Sequence, residues 1–217
     1  MTRQCWRYWL FALLCGPALS LAAEVGLVTA LSGTVALQGA AQGESRALQA
    51  FSKLHEGDRL TLSEGARLQL VFFHGAQEQV WQGAGELQVA AAGAAPQPLG
   101  WQPQVRQLPQ VLVKQLAKTP APDGQVKAGM VRLRSMPSGG TLESVEKRYT
   151  QLRQQALGDD RNPELYLLAS YFELQEYAKL QGLLQKMAKA APADGEVKLL
   201  QALYGRAINS AKNAARP

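Results

Sequence analysis

Polar and apolar residues alternate between residue 24 and about residue 92, which is the spacing of β-strands with one buried face. In the stretch 67–73 this pattern places Leu68, Leu70 and Phe72 together in a core and leaves Gln69 on a solvent face. Glycines separate the stretches about every ten residues, as turns do. The pattern predicts an all-β roll, sandwich or barrel with strands at 25–31, 33–37, 59–62, 67–73, 77–81 and 86–90.

From residue 141 to residue 210 the apolar spacing becomes that of amphipathic helices, so the chain is predicted to be α+β. Four helices are expected, with start and stop signals at Thr141, Gly158, Asn162, Pro163, the joint Gln175–Glu176, Asp194 and Gly195. Their apolar stripes include Leu142, Val145, Tyr149, Leu152, Leu165, Leu168, Phe172, Leu180, Leu184, Val197, Leu200, Leu203 and Tyr204. Residues 211–217 are expected to be a tail.

Residues 93–140 contain most of the prolines and have the composition of a connector. Two short apolar runs interrupt it. Val111–Val113 is a strand candidate, and 130–134 is a second one that would return to the β domain. The predicted domains are therefore a β domain over 23–92, a connector, and a helical domain over 141–210.

The first 22 residues have the three parts of a secretory signal peptide. Arg3 and Arg7 precede an uncharged apolar stretch, which ends in the small-residue exit Ser20-Leu21-Ala22. We expect cleavage after Ala22, with cleavage after Ala23 as the close alternative. Lipidation of Cys15 is disfavoured, because the residue before a lipidated cysteine is small and here it is leucine.

Signal removal changes the composition of the chain. The full sequence carries 23 Lys and Arg against 17 Asp and Glu, a net charge of +6. Loss of Arg3 and Arg7 leaves 21 against 17, or +4, and both cysteines leave as well. A mature chain without cysteine has no disulfide, thiol nucleophile or thiolate metal site, and export predicts a periplasmic or secreted location.

Several turns resemble FecR-type domains. Ala30–Val35 is similar to their opening "v-sG-v", Leu54–Thr61 to their "l-x-x-G-D-x-i-x-T", and Glu64–Leu70 to their "x-G-s-a-x-l-x-l", while His74-Gly75 stands where "d-G-s" is usual. FecR-type regulators carry a cytoplasmic anti-sigma segment and a membrane helix before this domain. Here the domain follows a signal peptide directly, so we expect an exported stand-alone module.

The helical region resembles a degenerate tetratricopeptide repeat. Matching positions hold Tyr171, Phe172, Tyr177, Leu184 and Pro192, whereas Leu168, Leu180 and Met187 stand where the repeat has small residues. One repeat does not bury its own apolar face. An ordinary four-helix cap is the alternative.

The residues with reactive side chains form no catalytic, cofactor-binding or metal-binding motif, so no site residue, cofactor or enzymatic activity is predicted. His55 and His74 are expected to be solvated turn residues, and Asp159-Asp160 a helix cap and linker. Neither Ser32-Gly33 nor Ser138-Gly139-Gly140 is a nucleophile elbow, and Gly83-Ala84-Gly85 is expected to be a hairpin turn.

We expect the helical half to be the docking surface, because it contains most of the tyrosines and a cluster of cations. Its cations could form a basic face for an acidic partner, or simply a solvated one: Lys179, Lys186, Lys189, Lys198, Arg206 and Lys212. Its tyrosines are Tyr149, Tyr166, Tyr171, Tyr177 and Tyr204, of which Tyr166 lies off the apolar stripe and is expected to be an exposed anchor.

The sequence thus predicts an exported, non-enzymatic binding or interaction protein of the bacterial cell envelope. Its partner would be an envelope protein or a cell-wall polymer, not nucleic acid, and it would not span a membrane. A periplasmic signalling component that relays to a membrane partner is one alternative. An envelope enzyme that uses only carboxylates is another.

Overall fold

The computed structural model describes residues 23–40, 43–97, 100–122 and 140–214. These residues form ten strands followed by five helices, which confirms the α+β class. The strands are β1 (Glu24–Ser32), β2 (Val35–Gln38), β3 (Ser45–Ala47), β4 (Lys53–His55), β5 (Arg59–Leu62), β6 (Arg67–Phe72), β7 (Gln77–Gln82), β8 (Gly85–Ala90), β9 (Gly93–Gln97) and β10 (Gln104–Gln107). The helices are α1 (Gln110–Leu116), α2 (Leu142–Gln155), α3 (Asn162–Glu173), α4 (Tyr177–Ala190) and α5 (Gly195–Ala214).

The strands form two five-stranded antiparallel sheets that enclose one apolar core. The first sheet has the order β10-β7-β6-β1-β4, and the second has the order β3-β2-β5-β8-β9. Leu68, Leu70 and Phe72 of the first sheet are fully buried against Leu60 and Leu87 of the second, so the predicted inward face of β6 is confirmed. The alternation along the strands therefore identified the inner face of the first sheet correctly.

The outer face of the first sheet is covered by the helices. Leu27 of β1 and Val71 of β6 point away from the sandwich core and are fully buried in a second core with apolar residues of all five helices. Lys53 of β4 also donates to the carbonyl of Ala117, 2.6 Å away, at the end of α1. The expectation that Gln69 lies on a solvent face is therefore wrong. The alternation of polar and apolar residues does not reveal that a layer of helices packs over this second face of the sheet.

The described part of the predicted connector, residues 93–97 and 100–122, belongs to the fold. β9 pairs with β8 and β10 pairs with β7, so both sheets extend past the expected boundary at residue 92. Val111–Val113 lies in α1, not in a strand, and packs two of its side chains into the helical core. A three-residue apolar run does not distinguish a strand from a short buried helix. The strand candidate at 130–134 and the expected signal peptide at 1–22 lie outside the described residues.

The turn at Gly83-Ala84-Gly85 is a corner between sheets and not a hairpin. It joins β7 of the first sheet to β8 of the second, which pairs with β5 and β9. The Trp101 ring packs over Gly85, where a Cβ would meet it at 2.6 Å, and its Nε1 donates to the carbonyl of Gln82 at 3.0 Å. The glycine is therefore needed for packing and not for a two-residue hairpin loop.

Side chains cap three of the helices as the sequence pattern broadly indicated. Thr141 accepts from the Ser144 amide at the start of α2, as expected. At the start of α3 the Asp160 carboxylate accepts a hydrogen bond from the Asn162 backbone amide at 2.9 Å. Asn162 is therefore the first helical residue and not the cap. Asp194 begins α5, which continues past the expected end at residue 210 to Ala214. None of the helices in the described ranges has the length and apolar character of a bilayer span.

Candidate functional site

A buried carboxylate of the β-sandwich holds the start of α3. Glu78 of β7 is 3% exposed and receives a hydrogen bond from Arg106 Nε of β10 at 2.8 Å. The same guanidinium bonds Asp160, before α3, at 2.5 Å. Burial opposes the charge, but the hydrogen bonds and negative charges of Asp160 and Glu78 raise the pKa of Arg106. Arg106 therefore stays charged and joins the sheet to the helical layer.

Two side-chain amides also donate hydrogen bonds to this carboxylate. Asn162 Nδ2 and Gln69 Nε2 donate to Glu78 Oε1 at 2.5 Å and 2.6 Å. The Gln69 position, expected to face solvent, thus holds a polar group of the junction between sheet and helices. Sequence reasoning missed the group because its bonded members are distant in the chain: Asn162 and Glu78 lie 84 residues apart.

A second arginine joins α3 to α5 and to the edge of β1. Arg161 bonds both Asp194 and Glu196, the latter at 2.9 Å. The other oxygen of Glu196 accepts the amide of Leu31 at 2.8 Å, where β4 no longer covers β1. Burial raises the pKa of Glu196. Burial acts in the same direction on Asp194, but the hydrogen bonds from Arg161 and from the backbone amides of Val197 and Glu196, with the positive charge of Arg161, together outweigh it and lower the pKa of that carboxyl.

Two clefts open beside this second ion cluster. One of about 190 Å³ lies between β1 and the start of α3, with Thr29, Gln69, Asn162 and Glu196 in its wall. The other, of about 520 Å³, lies between Leu31 and the start of α5. Each facing pair of carboxylates in this region, Glu78 with Asp160 and Asp194 with Glu196, is bridged by an arginine. These ion pairs join the sheet to the helices and α3 to α5.

The last two helices carry five cations without an ion pair to a described residue. The four-residue connection after α4 and the contact of Lys212 with the Tyr177 ring, at 6.0 Å, show that α4 and α5 form an antiparallel hairpin. Lys179 of this hairpin is paired with Glu146 at 2.7 Å. The remaining five cations are exposed and form no ion pair with any described residue; we define them as the basic surface: Lys186, Lys189, Lys198, Arg206 and Lys212.

Three tyrosines of the helical half, Tyr166, Tyr171 and Tyr204, are buried, and Tyr149 and Tyr177 are half-buried. Tyr166, the expected anchor, is 1% exposed because it lies in the face of α3 that packs into the helical core. Tyr171 donates its hydroxyl to Glu146 at 3.0 Å, and Tyr204 is fully buried. Burial, followed by that hydrogen bond, raises the pKa of Tyr171 to about 12. None of these tyrosines is therefore a fully exposed side chain on the helical half.

The remaining sequence candidates are turn residues. His55 lies beside Asp58, whose buried carboxylate accepts the backbone amides of His55 and Ala40. His74 is exposed at the β6–β7 turn. Asp159 lies 4.0 Å from Arg67, whereas Asp160 caps α3. No cluster of three or more metal-ligating side chains occurs among the described residues.

Comparisons with known proteins give little further information. No protein-family model and no curated protein matches the chain. A solved structure described as a "Cell surface anchoring domain" is 19% identical, and the match covers 34% of this chain and 96% of that domain with a TM-score of 0.30. A TM-score at this level does not indicate a shared fold.

Proposed function

We propose that the chain is an exported, non-enzymatic binding protein of the bacterial cell envelope. A FecR-like β domain forms its base, and the last helical hairpin forms its docking surface. The signal-like N-terminus supports export, and the turns that resemble FecR-type domains support the domain type.

One observation carries the proposal: charge is segregated within the molecule. Residues 177–214 hold six cations and two acids, whereas residues 23–176 and 215–217 together hold 15 cations and 15 acids. The two acids of the hairpin, Asp194 and Glu196, are bound to Arg161 at the junction. The hairpin thus presents positive charge to solvent without a compensating carboxylate of its own, as a docking surface for an acidic partner does.

The paired state of the carboxylates also supports binding over carboxylate catalysis. A general acid or base needs a carboxyl group that can exchange a proton with a substrate. Glu78 and Asp160 are instead both bonded by Arg106, and Glu196 is bonded by Arg161 and the Leu31 amide.

Export and docking are tested together in cells that produce the full chain. N-terminal sequencing of the periplasmic fraction should start at Ala23 or Glu24. Lysine-directed crosslinking followed by mass spectrometry should join Lys186, Lys189 or Lys198 to an envelope component. Intact chain confined to the cytoplasm contradicts export, and crosslinks only from lysines outside α4 and α5 move the docking surface elsewhere. Recovery of a single membrane protein at these lysines favours the signalling role.

A further inference from the structure

The basic surface acts by electrostatics with little apolar contribution. Among the described residues the large apolar side chains that are well exposed are Val105 and Leu157, and neither lies in α4 or α5. Protein interfaces use buried aromatic or aliphatic anchors, and interfacial helices insert an apolar face into the bilayer. The hairpin turns its apolar face inward, onto Leu165 and Leu168 of α3 and the rest of the helical core. Its ligand must therefore supply binding energy through charge.

The type of the cations and their spacing restrict the class of ligand further. Four of the five members are lysines, which are point charges on flexible stems and suit phosphate groups in no fixed orientation. Lys198 and Lys212 on α5 are separated by roughly 21 Å of helix axis, at about 1.5 Å per residue. Lys186 and Lys189 lie one turn apart on α4. Cations spread over such a length of two helices match an extended ligand with repeated charges better than a single small anion.

We propose that the basic surface binds a linear, phosphate-bearing polymer. This inference rests on the proposed function, since it names the ligand class for the same docking surface. Lysine ammonium groups replace the counterions along the polymer, so that the affinity depends strongly on salt and weakly on the sequence or shape of the chain. The uncompensated charge on the hairpin is what distinguishes this surface from the rest of the molecule, where cations and acids are equal in number.

The test measures binding of the full mature chain to fluorescently labelled inorganic polyphosphate by anisotropy. The variant Lys186→Gln/Lys189→Gln/Lys198→Gln removes three charges from the basic surface, and glutamine keeps a high helix propensity. The matched control Arg59→Gln/Lys114→Gln/Lys147→Gln removes three exposed cations elsewhere, so both variants have the same net charge. Circular dichroism confirms that both variants are folded.

We expect the hairpin variant to bind about tenfold more weakly or worse, and the control to stay within about twofold of the unmodified chain. The slope of log affinity against log salt should fall by about 2 for the hairpin variant, at roughly 0.7 for each lost contact on a flexible strand. Equal losses in both variants, or no loss in the hairpin variant, overturn the proposal, because binding would then depend on net charge or on another surface.

Vesicles provide the competing outcome. We expect the chain to sediment weakly with mixed phosphatidylcholine and phosphatidylglycerol vesicles and to be released by polyphosphate. If the chain instead binds these vesicles tightly and polyphosphate does not release it, the ligand is a membrane surface and the polymer proposal is wrong. If polyphosphate binding fails while crosslinking in cells still joins the hairpin lysines to an envelope protein, the polymer inference is wrong and the proposed function stands.

Discussion

Neighbouring residues of one strand belong to two different cores. Leu70 lies in the sandwich core and Val71 in the helical core, and both are fully buried. Between Leu68 and Leu70, Gln69 reaches the buried carboxylate of Glu78. Every residue of β6 after Arg67 is therefore either buried in one of the two cores or, at Gln69, hydrogen-bonded to Glu78.

Leu70→Ala should lower the free energy of unfolding by about 2–5 kcal/mol, because it removes buried methyl groups from a packed core. Gln69→Ala should cost about 1–3 kcal/mol, since it leaves an acceptor site of a buried carboxylate unfilled. Urea denaturation of both variants measures the two losses. A change below about 0.5 kcal/mol for Gln69→Ala would mean that its amide faces solvent after all.

Tyr171 gives the helical layer a pH dependence on the alkaline side. Its pKa is raised to about 12, first by burial and then by the hydrogen bond to Glu146. The ordinary tyrosine pKa is about 10, so the stabilisation is complete below about pH 10 and is lost as the pH rises through about 12. Between about pH 9 and pH 11, the unmodified chain should lose about 1 kcal/mol relative to Tyr171→Phe, which has no such proton to release.

Urea denaturation of both chains at the two pH values measures this difference. If the difference between the two chains stays constant with pH, burial and the Glu146 bond do not raise the pKa of Tyr171.

At the scale of elements, the turns between strands depend on left-handed glycines for two separate reasons. Gly65 has a φ of +74° and no atom within 4 Å of the place of a Cβ. Gly33, between β1 and β2, has a φ of +79° and would bring a Cβ to 2.9 Å from Ala66 Cα. Gly65 is therefore needed only for its left-handed backbone conformation. Gly33 is needed for that conformation and also because the chain passes close to Ala66 where it crosses from one sheet to the other.

Gly65→Ala should cost about 1–2 kcal/mol, the penalty of a left-handed alanine. Gly33→Ala should cost clearly more, because the backbone atom that it meets does not rotate out of the way. Thermal denaturation of the two variants separates strain from steric overlap. Equal losses would show that the loop around Ala66 moves to make room.

At the scale of the whole molecule, the helical layer and the first sheet bury each other. Leu27 and Val71 of the sheet share a core with Leu165 of α3 and Leu200 of α5. The apolar face of the helices is covered by the first β-sheet. The two regions of the sequence therefore share one apolar core.

A chain truncated after Gly140 lacks α2 to α5 and exposes part of this outer face. It should aggregate or bind the dye ANS, and its melting temperature should be well below that of the full chain. The full-length hairpin variant, which keeps the apolar face covered, is the control and should not bind the dye. A soluble truncated chain that melts at the original temperature would mean that the sandwich folds independently of the helices.

The sequence by itself determined the elements whose residues repeat a clear pattern. Six strands, the four later helices, the Thr141 cap and the inward face of β6 follow from spacing that acts over a few residues. The exposed lysines of α4 and α5 also follow from the sequence, because a lysine that lies off an apolar stripe faces water.

Only the tertiary structure decided which surfaces are covered. Tyr166 is buried and Gln69 is half-buried and bonded to Glu78 because a distant layer packs against them, and α1 is a helix where a run of three apolar residues did not decide between strand and helix. Glu78, Arg106 and Asp160 meet only after both layers are in place. Local spacing reports which face of an element is apolar, whereas contacts between residues far apart in the chain depend on how the elements pack.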